Sequence, residues 1–450
     1  MHIMKKLTMS MYLGVLLMLV CLLASCGGRP AITMEDNGLD EFGSSDRVIL
    51  IVLDGFASRY LNYLDQDSSL YQLLQYATYD LDGQTIYPSH TCNAHTSLMT
   101  GTYPDQHGLI GNVYYDQNER ISQKNISADL IDQKTLFEIA GEHGKKTAIV
   151  SGKKNMLTLF EKGCDIQATM SAHPDYIGEA LQLDDSENND QYYDYHLKTT
   201  SWVFEALKSV LTEEKPDFTL VNIQSADSIG HRFGPDSFEV AQAVKLIDQE
   251  IGKLFSYMKK SDILSDTAVM ILADHGMSPV SKAIPINVLM NNNFDQAAVV
   301  VDGRNAYIWL NGDDAAAVTT FFEAQEGVAR ITSKGSPEAQ ALRVDCERCP
   351  DLILDSEPGY LFIPEALLWK YQGMHGTTED SDMNIPMIFF GSGIPQNQEM
   401  ADAKIVDLAA LTCKLMGLTA DGFDGTIPQL TVPGGEAGAG AVDFFTGQGD

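Results

Sequence analysis

Along this chain, continuous apolar runs alternate with amphipathic stretches. From Arg47 the sequence reads RVILIVL and stops at Asp54-Gly55. An unbroken apolar run rich in β-branched residues is how a strand covered on both faces of a parallel sheet looks. Similar runs recur at Thr147–Val150, Phe218–Ile223, Ala268–Ala273 and Pro386–Phe390. Helical patterns lie between several of them, at Leu61–Tyr76, Lys134–His143, Ser201–Leu211, Phe238–Met258 and Val406–Met416. The alternation predicts an α/β fold with a central, mostly parallel sheet flanked by helices. Between Ser278 and Gln372 the rhythm shortens, with stretches such as Val299–Val301, Ala306–Leu310 and Ala315–Glu326. That change predicts a smaller α+β insertion. Because it interrupts the main domain between His275 and His375, it is expected to overhang the site as a cap.

The two ends read differently. Lys5 and Lys6 precede an apolar run from Leu7 to Ala24, the layout of a signal segment. The run ends Leu23-Ala24-Ser25-Cys26-Gly27, which resembles the lipobox of bacterial lipoproteins. That resemblance implies an exported chain held at a membrane by lipid on Cys26; the alternative is an uncleaved membrane anchor. The expected organisation is a signal segment over 1–25, an acidic tether over 26–45 and a first core part over 46–278. A cap over 279–372, a second core part over 373–428 and a Gly-rich tail over 429–450 follow.

Composition narrows the partners. The 450 residues carry 62 acidic against 30 basic side chains, a formal charge of −32, while 44% hydrophobic content leaves ample core. So acidic a surface repels polyanions, so no nucleic acid polymer is expected as partner. A small phosphate-bearing substrate requires local positive charge, which bound metal ions supply. Of the seven cysteines, five remain once Cys21 and Cys26 are set aside. This odd count excludes a complete disulfide framework. Cys346-Glu-Arg-Cys349 suits a small disulfide loop better than a zinc site, which usually needs two such pairs. Nothing in the sequence specifies an oligomeric state.

Candidate chemistry lies after the strands. The segment Tyr87 to Asn112, YPSHTCNAHTSLMTGTYPDQHGLIGN, offers Thr91 at the start of a helical stretch that Gly101 ends, with Pro104 just beyond. A helix N-terminus presents unpaired N–H groups and the positive dipole end, a ready anion site. Thr91 thus reads either as a nucleophile that needs a base or metal, or as a plain helix cap. Asp54 ends the first strand, Asp227 and His231 follow the third, and Asp274-His275 ends the fourth. His375 precedes the last strand. These positions are where an open α/β sheet gathers ligands.

Taken together these residues resemble the nucleotide pyrophosphatase/phosphodiesterase family of the alkaline phosphatase superfamily. The motifs are Val52-Leu-Asp54-Gly55, Pro88-Ser-His-Thr91 with His95, Thr100-Gly-Thr-Tyr-Pro104 with His107-Gly108, and Asp227-Ser-Ile-Gly-His231. Ala273-Asp-His-Gly-Met277 and Gly373-Met-His375-Gly376 complete the set. The resemblance implies an alkaline-phosphatase-like sheet and two zinc ions. One zinc would be held by Asp227, His231 and His375, the other by Asp54, Asp274, His275 and the Thr91 oxygen. It further implies that Thr91 forms a phosphothreonine. Asn112 and the backbone N–H of Cys92 would hold a phosphate oxygen.

Two departures matter. Asn93-Ala94-His95 replaces the family's Pro-Asn-His, and Ser151-Gly152-Lys153-Lys154-Asn155 resembles the basic segment of phosphonoacetate hydrolases with Asn155 in place of the second cation. Lys153 is therefore a candidate substrate-binding residue, or simply a solvated loop charge. The leading expectation is a hydrolase of small phosphodiesters or phosphoanhydrides of nucleotide type. Alternatives are a phosphomonoesterase or phosphonate hydrolase using Lys153, and an inactive ligand-binding lipoprotein. Tyr114, Tyr115, Tyr192 and Tyr193 are candidates to stack on a base.

Overall fold

A computed structural model describes residues 32, 34, 37–116, 121–123, 126–153, 155–178, 188–364 and 371–433. The signal segment, Cys26, Lys154 and the tail from 434 onward lie outside the described residues.

A nine-stranded sheet organises the chain, in the order Gln429–Thr431, Gln398–Ala401, Thr78–Gln84, Asn384–Gly391, Thr267–Leu272, Arg47–Leu53, Phe218–Ile223, Thr147–Ser151 and Ile166–Thr169. Its centre is parallel: Arg47–Leu53 pairs with Phe218–Ile223 on one side and Thr267–Leu272 on the other. The unbroken apolar sequence of that strand follows from its place, since Val48 to Leu53 are all at most 1% exposed. Asn384–Gly391 runs antiparallel to both neighbours, which an apolar run cannot reveal. Its pairing shifts register between Ile385 and Met387, so the bulge accommodates Pro386, which has no N–H to donate.

Thr78–Gln84 (TYDLDGQ) escapes the hydrophobic pattern because most of its positions are only half-buried. The expected single helix Leu61–Tyr76 is two elements, a 3₁₀ turn Ser58–Tyr63 and an α-helix Ser69–Leu74. The break has a local cause: Ser68 caps the second element by accepting from the Tyr71 N–H, and Asp65 to Ser68 form a polar turn. Ser201–Leu211 is the interior of a longer helix, Asn189–Glu213, which begins where the Asn188 side chain accepts from Asp190 and Gln191 N–H.

The stretch read as an acidic tether touches the core where it is described. Ile32 and Phe42 are buried, and the Gly43 N–H donates to Gly393 O at 2.8 Å. Between Ser278 and Gln372, the strands Ala298–Asp302, Asn305–Trp309, Leu352–Ser356 and Val328–Ser333 form a separate antiparallel sheet. It has a small core of its own, including Ile308, Val318, Phe322 and Leu354. The segment leaves the main domain in Ser278–Pro285 and returns in Gly373–Met374, and these two strands pair directly. Departure and return therefore lie side by side next to His275 and His375. Cys346 and Cys349 are joined in a disulfide, which removes them as metal ligands.

Candidate active site

Thr91 opens the helix Thr91–Thr100, but it does not cap it. His90 occupies the N-cap position without a side-chain cap bond, and Gly101 ends the helix in the left-handed conformation. The Thr91 hydroxyl instead meets His275 Nε2 at 3.1 Å. The whole helix is buried.

Around this hydroxyl the strand ends deliver their polar residues. Asp54 follows the first strand, and Gly55 (φ +67°) lets the turn press against Asp227; a Cβ there would sit 2.7 Å from the Asp227 Cα. Asp227 and His231 stand one turn apart on the helix Ser225–Phe233, with His231 Nε2 3.1 Å from Asp227 Oδ1. His375 Nε2 lies 3.6 Å from the same oxygen. His275 Nε2 is 3.7 Å from Asp54 Oδ1 and 3.5 Å from Asp274 Oδ2.

Each imidazole is oriented by the backbone. The Nδ1 atoms of His231, His275 and His375 lie 2.9, 2.9 and 2.7 Å from the carbonyls of Gly373, Gly276 and Ser89. A carbonyl can only accept, so Nδ1 carries the proton and each Nε2 is turned inward; metal-ligating histidines are commonly held this way.

Two donor groups result among the described residues, Asp227/His231/His375 and Asp54/Asp227/His275. In the second group Asp227 stands where Asp274 was expected, while Asp274 Oδ2 remains beside it, 3.5 Å from His275 Nε2. Asp274 Oδ1 accepts the N–H groups of Gly55 and His275, each at 3.0 Å, which fixes the turn.

The electrostatics favour cations. Burial, then the charge of Asp274, pushes Asp54 up to about 6, with Lys153 opposing. Burial also works against the Asp227 charge, but Lys153 and His231 outweigh it and hold that carboxyl well below the usual range. Lys153 Nζ bridges Asp54 Oδ1 at 2.7 Å and Asp227 Oδ2 at 2.8 Å. Burial, followed by the neighbouring imidazoles, drives His375 well down, so it stays neutral. Asp227 Oδ1 and Asp274 Oδ2 are buried with no hydrogen-bond donor. A buried anionic oxygen without a partner is costly. Carboxylate oxygens mixed with imidazole nitrogens form a donor set that suits zinc, so the residues present fit the implied metal.

Asn112 is placed beside Thr91, with one change from expectation. Its Oδ1 accepts the Cys92 N–H at 2.8 Å, so that N–H holds Asn112 and is not free for a phosphate oxygen. The Nδ2 group is what remains to donate. Sequence reasoning missed Asn222, whose Nδ2 donates to Asp54 Oδ2 at 2.8 Å; an asparagine inside an otherwise apolar buried strand was the available signal. His95 Nδ1, one turn along the helix, lies 2.9 Å from Thr91 O and 3.3 Å from Asp274 Oδ2.

A cavity of about 630 Å³ opens from Thr91 and Asn112 toward the inserted segment. Lys153 is the sole lysine or arginine among its described lining residues, and Asn155 lines it as well. Tyr114, Tyr115, Tyr192 and Tyr193 do not line it. Tyr115 packs on Trp309, and Tyr193 meets Phe233 edge-on. Among the described residues, Phe362 and Tyr371 are the phenyl and phenol rings that do line it.

The profile described as "Type I phosphodiesterase / nucleotide pyrophosphatase" matches residues 48–378, a span that contains Asp54, Thr91, Asn112, Lys153, Asp227, His231, Asp274, His275 and His375. The chain belongs to that family. Venom phosphodiesterase CdcPDE of Crotalus durissus collilineatus is 28% identical over 403 residues, which are 85% of this chain and 46% of that protein. Human ectonucleotide pyrophosphatase/phosphodiesterase family member 1 is 25% identical over 404 residues, 85% of this chain and 41% of that protein. The chain thus spans less than half the length of these relatives. Among solved structures, an inactive variant of murine ectonucleotide pyrophosphatase/phosphodiesterase 5, in complex with AMP, superposes with TM-score 0.67 at 16% identity. The match covers 85% of this chain and 97% of that one. Phosphonoacetate hydrolase from Sinorhizobium meliloti 1021, in complex with phosphonoformate, gives TM-score 0.65 at 19% identity, covering 85% and 99%. These two likenesses establish the shared α/β fold of the family.

Proposed function

We propose that the chain hydrolyses phosphodiester or phosphoanhydride bonds of small, nucleotide-type molecules through a phosphothreonine on Thr91. The observation that carries this reading is the direction of the Thr91 hydroxyl, turned from its own helix toward His275 Nε2 at 3.1 Å. Two zinc ions belong to the reading. Asp227, His231 and His375 would hold one; Asp54 and His275 would hold the other, with Asp227 and Asp274 beside it and Thr91 as the oxygen ligand. Such a pair lowers the pKa of a bound hydroxyl and clamps the attacking and leaving oxygens of an in-line displacement.

The chain's own groups do the rest. Thr91 Oγ1 forms the bond to phosphorus as the bond to the leaving oxygen breaks, and water then cleaves the phosphothreonine and restores the hydroxyl. The helix N-terminus adds positive potential at the phosphoryl group. Asn112 Nδ2 donates to a non-bridging oxygen. Losing one such donor typically costs about 3 kcal/mol in the barrier.

A second reading, phosphomonoester or phosphonate hydrolysis, draws on Lys153 as a fixed cation in the cavity. The first is favoured because Asn155 leaves Lys153 as the sole lysine or arginine among the described lining residues, which suits a singly charged diester better than a dianion. An inactive ligand-binding role is disfavoured by the intact donor set. The test compares an aryl phosphodiester with the aryl monoester. The diester should be turned over faster, and Thr91→Ala should lower that rate by roughly 10⁴-fold or more, as loss of a nucleophile does. A monoester preference abolished by Lys153→Ala would replace the first reading with the second. We also propose export with lipid on Cys26; the test is loss of radiolabelled palmitate incorporation in Cys26→Ser, and retained label would refute it.

A further inference from the structure

The inserted segment does more than roof the cavity. Its hairpin, Ala298–Asp302 with Asn305–Trp309, ends in the turn Asp302-Gly303-Arg304-Asn305, and this turn is driven between the two halves of the site. On the nucleophile side, Asp302 Oδ2 accepts the backbone N–H of Asn112 at 2.7 Å. Asn305 Oδ1 accepts from His90 Nε2 at 2.7 Å, one residue before Thr91. On the other side the Arg304 guanidinium, fully buried, forks onto Glu379 at 2.6 and 2.9 Å and reaches Asp382 at 3.2 Å. The Arg304 N–H donates to His375 O at 3.3 Å. One four-residue turn therefore touches the chain at Asn112, at His90 and at His375.

The Asp302 contact stands apart from the others. A carboxylate that lines the cavity is an odd choice beside a site for anions, since it repels the substrate. Its placement is nonetheless built in. Gly111 is the residue that admits it: a Cβ there would lie 2.3 Å from Asp302 Oδ2 and 2.8 Å from the Tyr307 hydroxyl. Tyr307, itself completely buried, donates to Ile110 O at 3.0 Å, so consecutive residues of this loop are gripped from the cap. Asn112 is then held at two points, its N–H by Asp302 and its Oδ1 by the Cys92 N–H, leaving Nδ2 as the group that can vary in neither position nor role.

We propose that Asp302 is a positioning residue for the reaction: the cap carboxylate that aims the Asn112 amide at the phosphoryl oxygen. The inference rests on the proposed function, and it assigns to the inserted segment a part in rate as well as in enclosure. A charge-assisted bond to a backbone N–H is short and strong, and displacing a positioned donor by about 1 Å can cost 10²-fold.

The experiment is a double-mutant cycle on the full chain with an aryl phosphodiester, with zinc content measured for each variant. Asp302→Ala should lower kcat by roughly 10- to 100-fold, with zinc content unchanged and KM unchanged or lower as a repelling charge leaves the cavity. Asp302→Asn, which keeps an acceptor oxygen, should recover most of that loss. In an Asn112→Ala background, Asp302→Ala should cost less than about twofold, because its effect runs through the amide already removed. Gly111→Ala, which reaches the same contact from the opposite side, should reproduce the kcat loss. Multiplicative effects of Asp302→Ala and Asn112→Ala would overturn the proposal, as would a failure of Asp302→Asn to recover activity. If Thr91→Ala retained full activity the functional reading itself would fall, whereas an inert Thr91→Ala with multiplicative Asp302 and Asn112 effects would remove this inference alone.

Discussion

The two walls of the site are built on opposite principles. The metal-facing wall takes Asp54, Asp227, Asp274 and His275 from residues at or just after the carboxyl ends of parallel strands, and each imaginable ligand is a residue type that binds metal. The cap-facing wall takes Asp302, Arg304 and Asn305 from one hairpin turn, and its side chains mostly hold other side chains and backbone. The first wall concentrates unsatisfied negative charge, with Asp227 Oδ1 and Asp274 Oδ2 lacking donors. The second is satisfied internally, with Arg304 answered by Glu379 and Asp382. The two tasks are thus separated: one wall gathers groups able to bind a cation, and the other ties its own side chains together by internal bonds.

The contrast can be broken most severely at Asp227. Because it belongs to both donor groups, Asp227→Ala should leave well under one zinc per chain, whereas Asp274→Ala should keep about one of the two that a bimetal site holds. Metal analysis of the dialysed proteins decides this, and equal losses from the two variants would contradict the shared role of Asp227.

On the other wall the largest expected effect is on stability. Arg304→Ala strands Asp382 and the buried side of Glu379, and breaking a buried pair in this way typically costs about 3–5 kcal/mol. Urea unfolding would measure it, and a loss below about 1 kcal/mol would show that the turn is not held by its charges. Zinc binding by whatever fraction folds should be normal, since Arg304 touches no donor atom.

The smallest effect sharpens the comparison from outside both walls. His107 is held down to about 3, by burial first and then by the Arg348 guanidinium, against an ordinary value of 6.5. The unfolded chain binds this proton first. The stability His107 contributes is therefore complete above about 6.5 and declines as the pH falls toward 3. The stability gap between the native chain and His107→Gln should narrow between pH 7 and pH 5, and a gap independent of pH would show that His107 is not the titrating group.

How much of this was legible beforehand differs between the walls for the same reason. Ligands that follow strands inherit the strands' visibility: Val48–Leu53 and Phe218–Ile223 announce themselves as apolar runs, so Asp54 and Asp227 can be found by counting past them. His231 follows from helical spacing to Asp227, and Thr91 from the position of a helix start. Asn222 left a weak signal as a polar residue in a buried strand. Asp302-Gly303-Arg304-Asn305, by contrast, reads as an ordinary polar hairpin turn, and nothing local distinguishes it from one that faces solvent.

The sequence by itself determined the α/β layering and the family, and it supplied the candidate metal-binding residues, because burial and side-chain chemistry are properties each segment carries alone. The tertiary structure decided the rest. It set the antiparallel course of Asn384–Gly391, the sharing of Asp227 between two donor groups, the capture of the Cys92 N–H by Asn112 and the grip of Asp302 on Asn112. Those are relations between residues far apart in the chain, 190 positions for Asn112 and Asp302, and the partner of a hydrogen bond is fixed only once the folded chain has brought both groups within reach.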